Sequence, residues 1–183
     1  MKNVSLRGAY CAVVLASFLP NVASAIVIEY DLSSLGGNDY RYEYTIANDG
    51  SLGSSTALEW FQIQFDSVLY EETSLSIAST SDVQSAWDEL LLGSGPGLAA
   101  SYDVFALAGG LAVGEILSGF AVEFTWLGDA SGPGSQTYDV IDPFSFTFIE
   151  TGTTMPLSVP EPGTWLLLTF GLGALALRRR ISF

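Results

Sequence analysis

The chain has 183 residues, 20 acidic and 6 basic side chains, and a formal net charge of −14. It contains no histidine, which excludes Ser-His-Asp and Cys-His catalysis and the usual zinc sites. Arg41 is the single basic residue between Ile26 and Ser158. This part of the chain therefore repels nucleic acid and is poorly suited to phosphoryl transfer.

Residues 1–25 have the pattern of a secretory signal peptide. A basic start and an apolar stretch lead to Ala23-Ser24-Ala25, which has the small-x-small form of a cleavage site. The pattern predicts an N-terminal signal helix, export by the general secretion machinery, and cleavage by signal peptidase so that the mature chain begins at Ile26. The single cysteine, Cys11, would leave with this peptide, so we expect no disulfide in the mature protein.

Residues 26–151 predict one secreted β domain, because apolar and polar side chains alternate with a period of two. Clear alternation occurs at 39–48, 58–66, 119–127 and 144–148, and weaker strands are predicted at 26–32, 75–79, 102–107 and 136–141. About eight short strands separated by Gly-, Asn- and Pro-rich turns are typical of an all-β fold. We expect an antiparallel β-sandwich of immunoglobulin-like or Greek-key type.

One segment of this domain departs from the alternation. Val83, Trp87, Leu90 and Leu91 recur at helical spacing, which predicts a short helix or structured loop at 83–92. A Gly-rich linker is expected at 93–97. After the domain, residues 152–158 are expected to form a stalk.

Acidic side chains leave two chemical alternatives to consider. A glycosidase needs two carboxyl groups facing each other across a cleft, but adjacent residues such as Asp88-Glu89 point to opposite faces of a strand. Calcium suits oxygen ligands better, and Asp129, Asp139 and Asp142 near predicted loops form a candidate calcium site, although no EF-hand spacing is present. We therefore expect no enzymatic activity and no cofactor other than calcium.

Two tryptophans of the domain are candidates for contact with sugars. Trp60 lies on the face of its predicted strand opposite Phe61, Ile63 and Phe65, and Trp87 lies in the predicted helix. Burial in the core is the favoured interpretation for both, since large rings dominate the cores of small domains. A carbohydrate- or calcium-binding module is kept as an alternative function.

Residues 159–183 combine three blocks in a fixed order. Val159-Pro160-Glu161-Pro162 is expected to be extended and exposed, since proline fixes φ, lacks an N–H and biases the preceding residue toward extended geometry. The uncharged run 165–177 predicts a transmembrane helix. The cluster Arg178-Arg179-Arg180 follows it and is expected to act as a membrane stop signal on the cytoplasmic side.

This combination of motif, apolar helix and arginine cluster resembles the PEP-CTERM sorting domain of Gram-negative bacteria. The resemblance implies a transient stay in the inner membrane and recognition by exosortase, a membrane enzyme that cleaves near the motif and releases or transfers the protein outward. It also implies a final place at the cell surface or in the extracellular matrix, with exopolysaccharide or biofilm as the setting. The alternative is a permanently anchored envelope protein.

Overall fold

The computed structural model describes residues 26–129 and 131–157, which contain ten strands and one short α-helix. In chain order the strands are β1 (Ile26–Gly36), β2 (Asp39–Asn48), β3 (Trp60–Phe65), β4 (Ser76–Ile77), β5 (Trp87–Leu92), β6 (Ala100–Ala106), β7 (Ile116–Thr125), β8 (Thr137–Ile141), β9 (Phe148–Thr153) and β10 (Met155–Pro156). A 3-10 turn (Glu72–Ser74) precedes β4, and helix α1 (Ser81–Ala86) precedes β5. The predicted signal peptide at 1–25 and sorting signal at 159–183 lie outside the described residues.

Within the described ranges, none of the helices has the length and apolar character needed to cross a membrane.

The strands form two five-stranded sheets that pack face to face, as in a sandwich. The first sheet has the order β10-β1-β2-β7-β4, and the second has the order β5-β6-β3-β8-β9. Neighbouring strands are antiparallel except β1 and β10, which run parallel. The expected mostly-β, sandwich-like fold is confirmed, with ten strands where about eight were expected. Its immunoglobulin-like or Greek-key type stays a prediction.

Aromatic side chains fill the space between the two sheets. Phe61 on β3 meets Phe120 on β7 with ring centroids 5.5 Å apart, and Phe65 meets Phe124 at 6.2 Å. These positions follow from the alternation in β3 and β7, because every second side chain of a strand points to the same face. Edge-to-face contacts between such rings stabilise the fold beyond the burial of their apolar area.

The segment 83–92, predicted as a short helix or loop, divides into two elements. Helix α1 ends at Ala86, and residues 87–92 form strand β5 along the edge of the second sheet. The prediction is therefore wrong beyond Ala86. Trp87 and Leu91 are four residues apart, which places them on one side of either a helix or a strand. Pairing with β6 decides in favour of the strand and buries Trp87 to 6% exposure.

The segment 144–148, predicted as a strand, is a turn up to residue 147. Asp142 accepts hydrogen bonds from the backbone N–H groups of Phe144 and Ser145, at 2.7 and 3.2 Å. Phe146 has a φ of 58°, in the left-handed region that does not continue a strand. Phe144 and Phe146 are consequently 89% and 73% exposed, and β9 begins only at Phe148.

The segment predicted as a stalk belongs to the folded domain as far as the structure describes it. β9 extends to Thr153, and β10 pairs with β1. Between them Thr154 is fully buried, and its hydroxyl oxygen accepts a hydrogen bond from the Gln136 N–H at 2.8 Å. The Leu157 N–H donates to the Tyr30 carbonyl at 2.7 Å. Sheet pairing thus continues beyond residue 151 to Pro156, within the segment expected to be a stalk.

Candidate functional site

The outer face of the second sheet carries a group of polar side chains that are hydrogen-bonded to one another. Strand β3 sends Phe61 and Ile63 into the core, where both are fully buried, and turns Gln62 and Gln64 outward. The sequence predicted this division of the strand, because the glutamines alternate with the apolar residues. Strand β6 divides in the same way and turns Asp103 outward.

Strand register aligns four of these outward side chains across the sheet. Asp103 on β6 lies opposite Gln62 on β3, Gln62 lies opposite Asp139 on β8, and Asp139 lies opposite Thr151 on β9. We refer to Asp103, Gln62, Asp139 and Thr151 as the polar row. Side chains directly opposite each other on one face of a sheet are close enough to interact, so the row forms a continuous band.

Two carboxylates of the polar row are buried and hydrogen-bonded to neutral donors. Asp103 is 7% exposed, and its Oδ1 accepts from Gln62 Nε2 at 2.7 Å and from the Trp60 indole N–H at 2.8 Å. Asp139 is 6% exposed and accepts from Gln64 Nε2 at 2.6 Å and from the Thr151 hydroxyl at 2.5 Å. Both bonds to Asp103 end on Oδ1, so its Oδ2 can accept a further hydrogen bond.

Three aromatic rings continue the face beside Asp103. Trp60 makes edge-to-face contacts with Phe105 and Phe146, with ring centroids 5.9 and 5.8 Å apart. We refer to Trp60, Phe105 and Phe146 as the aromatic group. Trp60 itself is half-buried and lies on the outer face, so the core interpretation is wrong for this residue, whereas Trp87 is in the core as favoured.

The turn between β8 and β9 holds Phe146 against Trp60. Asp142 begins this turn, and the backbone N–H groups of Phe144 and Ser145 hold the pKa of its carboxyl below the ordinary value. The carboxylate form is the one that accepts these hydrogen bonds. Asp142 therefore acts in the structure as a turn residue, and its oxygens are used by the backbone.

The three aspartates predicted as a calcium site have separate surroundings. Asp139 belongs to the polar row and Asp142 to the β8–β9 turn. Asp129 accepts from the Ser131 hydroxyl and backbone N–H, which lower the pKa of its carboxyl. Within residues 26–129 and 131–157, no group of three or more acidic, histidine or cysteine side chains is arranged to hold a metal ion.

The remaining predicted site residues lie outside the described part of the chain. They are Ala23 and Ala25 of the cleavage site, Val159, Pro160, Glu161 and Pro162 of the sorting motif, and Arg178, Arg179 and Arg180 of the stop signal. Their roles stay predictions.

Sequence reasoning missed four residues of the outer face, namely Asp103, Thr151, Phe105 and Phe146. Asp103 and Phe105 alternate with the buried Tyr102 and Val104, so the period of two contained the signal that would have placed them outward. Phe146 offered no comparable signal. It lies in a turn, but Phe144, Phe146 and Phe148 alternate with polar residues as they would in a strand.

Comparison with known proteins gives one family match. The family model described as the PEP-CTERM protein-sorting motif matches residues 158–180. No curated protein sequence matches the chain.

Similar solved structures include two of a GH20 exo-β-N-acetylglucosaminidase from Vibrio harveyi. An inactive mutant gives a TM-score of 0.37 at 13% identity, and the complex with N-acetylglucosamine gives 0.36 at 14% identity. Each alignment covers 75% of this chain and 19% of the larger enzyme, and these scores are too low to bear on activity. The sequence-based resemblance, by contrast, is confirmed: the chain carries a PEP-CTERM protein-sorting motif at residues 158–180.

Proposed function

We propose that this chain is an exported, non-enzymatic protein of the cell surface or extracellular matrix of a Gram-negative bacterium, delivered by exosortase. The observation that carries the proposal is the PEP-CTERM motif at residues 158–180, which supports exosortase-dependent sorting of an exported protein. In this view the chain is the substrate of an enzyme, and the β-sandwich is the delivered part. The setting we propose is an exopolysaccharide or biofilm matrix.

The position of the motif relative to the fold supports this role. The Leu157 N–H donates to the Tyr30 carbonyl on β1, and the matched motif begins at residue 158. Nineteen of the 20 acidic residues and only one basic residue, Arg41, lie between Ile26 and Ser158. Such a charge keeps a secreted domain soluble through self-repulsion. A folded acidic domain followed directly by a sorting motif fits an exported protein of this kind.

The experiment that tests the proposal is intact mass measurement and C-terminal peptide mapping of the protein recovered from the native cell surface. We expect a chain that ends between Pro160 and Thr164, or one that carries added mass there. A chain that still contains Arg178 to Phe183 contradicts processing at the motif. That result favours the permanently anchored envelope protein instead.

A second candidate function is binding of a neutral or cationic polysaccharide on the outer face of the second sheet. The aromatic group offers ring surfaces for stacking, and its member Phe146 is 73% exposed. The polar row adds the Gln62 amide as a donor and Asp103 Oδ2 as an acceptor for sugar hydroxyls. Because Arg41 is the single basic side chain of residues 26–157, an anionic polysaccharide is disfavoured.

Phe146→Ala is expected to weaken polysaccharide binding by about tenfold, since it removes an exposed ring from the aromatic group. The measurement begins with a glycan array that includes dextran and chitosan, at fixed salt and calcium, followed by calorimetry on the best binder. Phe148→Ala is the matched control, because Phe148 is also exposed but makes no contact in the aromatic group. A blank array would leave the structural role in the matrix as the remaining function.

A further inference from the structure

The first residue of strand β1 is held by the opposite sheet. The Ile26 side chain is fully buried in the core. The Ile26 backbone nitrogen donates to Glu150 Oε1 on β9 at 3.2 Å, and its carbonyl accepts from the Tyr138 hydroxyl on β8. The Tyr138 hydroxyl also lies 3.3 Å from Glu150 Oε1. Ile26 is thus one of the points where polar contacts join the first sheet to the second.

The carboxylate of Glu150 has unused hydrogen-bonding capacity at this point. Thr151 turns outward to Asp139, so its neighbour Glu150 faces the inside of the sandwich. The second oxygen, Oε2, is buried and has no hydrogen-bond partner among the described residues. Leaving a charged oxygen buried and unpaired costs stability, so a site of this kind favours a further donor or a cation.

The basic side chains of the domain do not supply that cation. Arg41 is the single Lys or Arg in residues 26–157. It pairs with Glu43 at 3.0 Å and approaches Glu123 at 3.6 Å, both on strands of the first sheet. The nearest group that can become positive beside Glu150 is the nitrogen of Ile26 itself.

We propose that Glu150 is a binding site for the α-ammonium group of Ile26, which forms when the signal peptide is removed. The proposal rests on the export and cleavage proposed above. Hydrolysis of the Ala25–Ile26 peptide bond adds one water, giving a carboxylate on Ala25 and an amine on Ile26. That amine takes up a proton, since an α-amino group has a pKa of about 8.

Cleavage therefore changes the chemistry of a contact that is already in place. Before cleavage, the Ile26 amide offers Glu150 one hydrogen and no charge. After cleavage, the ammonium offers three hydrogens and a full positive charge, enough to serve both Glu150 oxygens. The mature N-terminus thereby fastens β1 to the second sheet, and the processed domain becomes more rigid at this end than its precursor.

The lysine content of the chain allows the proposal to be tested by chemical labelling of amines. Lys2 is its single lysine and lies in the predicted signal peptide, so the α-amino group is the one aliphatic amine of the mature protein. The exported, processed protein is treated at neutral pH with an acetylating succinimidyl ester, and intact mass follows the addition of one acetyl group. We expect Glu150→Gln to be acetylated about tenfold faster than the wild type, because the amine is no longer held as a paired ammonium.

Two further variants complete the design. Asp31→Asn removes one exposed charge from the same strand, β1, and is expected to react at the wild-type rate. A glycine inserted between Ala25 and Ile26 moves the amine by about 3.5 Å, and this variant is expected to react fast even with Glu150 present. The insertion variant decides the question if Glu150→Gln does not fold.

Two outcomes overturn the proposal. Equal acetylation rates for the wild type, Glu150→Gln and the insertion variant show that Glu150 does not hold the amine. An intact mass showing that the mature chain begins at a residue other than Ile26 removes the group that the site is proposed to bind. The mass result tests cleavage and the rates test pairing, so failure of one is distinguished from failure of the other.

Discussion

Replacing Pro160, Glu161 and Pro162 with alanine is expected to leave the uncleaved chain in the membrane fraction. The three residues lie within the matched sorting motif, and proline as a residue type favours the extended backbone that a processing enzyme needs in its substrate. Alanine has a backbone N–H and a high helix propensity, so the substitution removes this preference for an extended backbone. The measurement is fractionation of the producing cells followed by intact mass.

Pro96→Ala is a suitable control for this variant. Pro96 is an exposed proline in the turn between β5 and β6, so its loss tests proline removal outside the sorting motif. The control is expected to reach the same location as the wild type at the same mass. If the triple alanine variant also keeps wild-type size and location, the motif is not being processed and the chain is a permanent membrane protein.

Phe61→Ala is expected to lower the free energy of unfolding by about 3–5 kcal/mol, the usual cost of truncating a fully buried phenylalanine. Phe61 is 0% exposed and contacts Phe120 and Trp87 with ring centroids 5.5 and 6.2 Å apart. It therefore joins both sheets at one place. Since most domains have about 5–15 kcal/mol in total, the variant is expected to be marginal or unfolded. Chemical unfolding of the mature protein measures the loss.

Phe144→Ala makes the same chemical change at a site that is 89% exposed. It is expected to alter the free energy of unfolding by less than about 0.5 kcal/mol, as is usual for surface substitutions. The comparison separates the loss of a buried ring from the loss of a ring in general. Similar unfolding curves for the two variants would contradict the packing of the sheets around Phe61.

Alternation in the sequence was sufficient to predict which side chains of the long strands face the core. Strand β2 was predicted at 39–48 and forms over Asp39–Asn48, and Phe61 and Ile63 are buried as expected. The reason is local: burial of one face of a strand forces a period of two on its residues. Prediction failed at Trp87 and Leu91, whose spacing fits both a helix and a strand, and at 144–148, where the alternation occurs in a turn.

The sorting motif was likewise readable from the sequence, because a processing enzyme recognises a short continuous segment. Residues 158–180 match the PEP-CTERM family model without any contribution from distant residues. The candidate site on the second sheet, by contrast, is formed by residues that lie far apart in the sequence. Gln62 and Asp103 are 41 residues apart, and Gln64 and Asp139 are 75 apart, yet each pair is hydrogen-bonded.

Alternation and short motifs were thus enough to predict the β class of the domain, the inward faces of its main strands and the family of its sorting motif. Which strands are neighbours became known only from the folded domain, and so did the polar row, the aromatic group and the contact of Ile26 with Glu150 across 124 residues. The physical reason is that strand pairing is set by the packing of the whole core, while periodicity reports only which face of a single strand is buried.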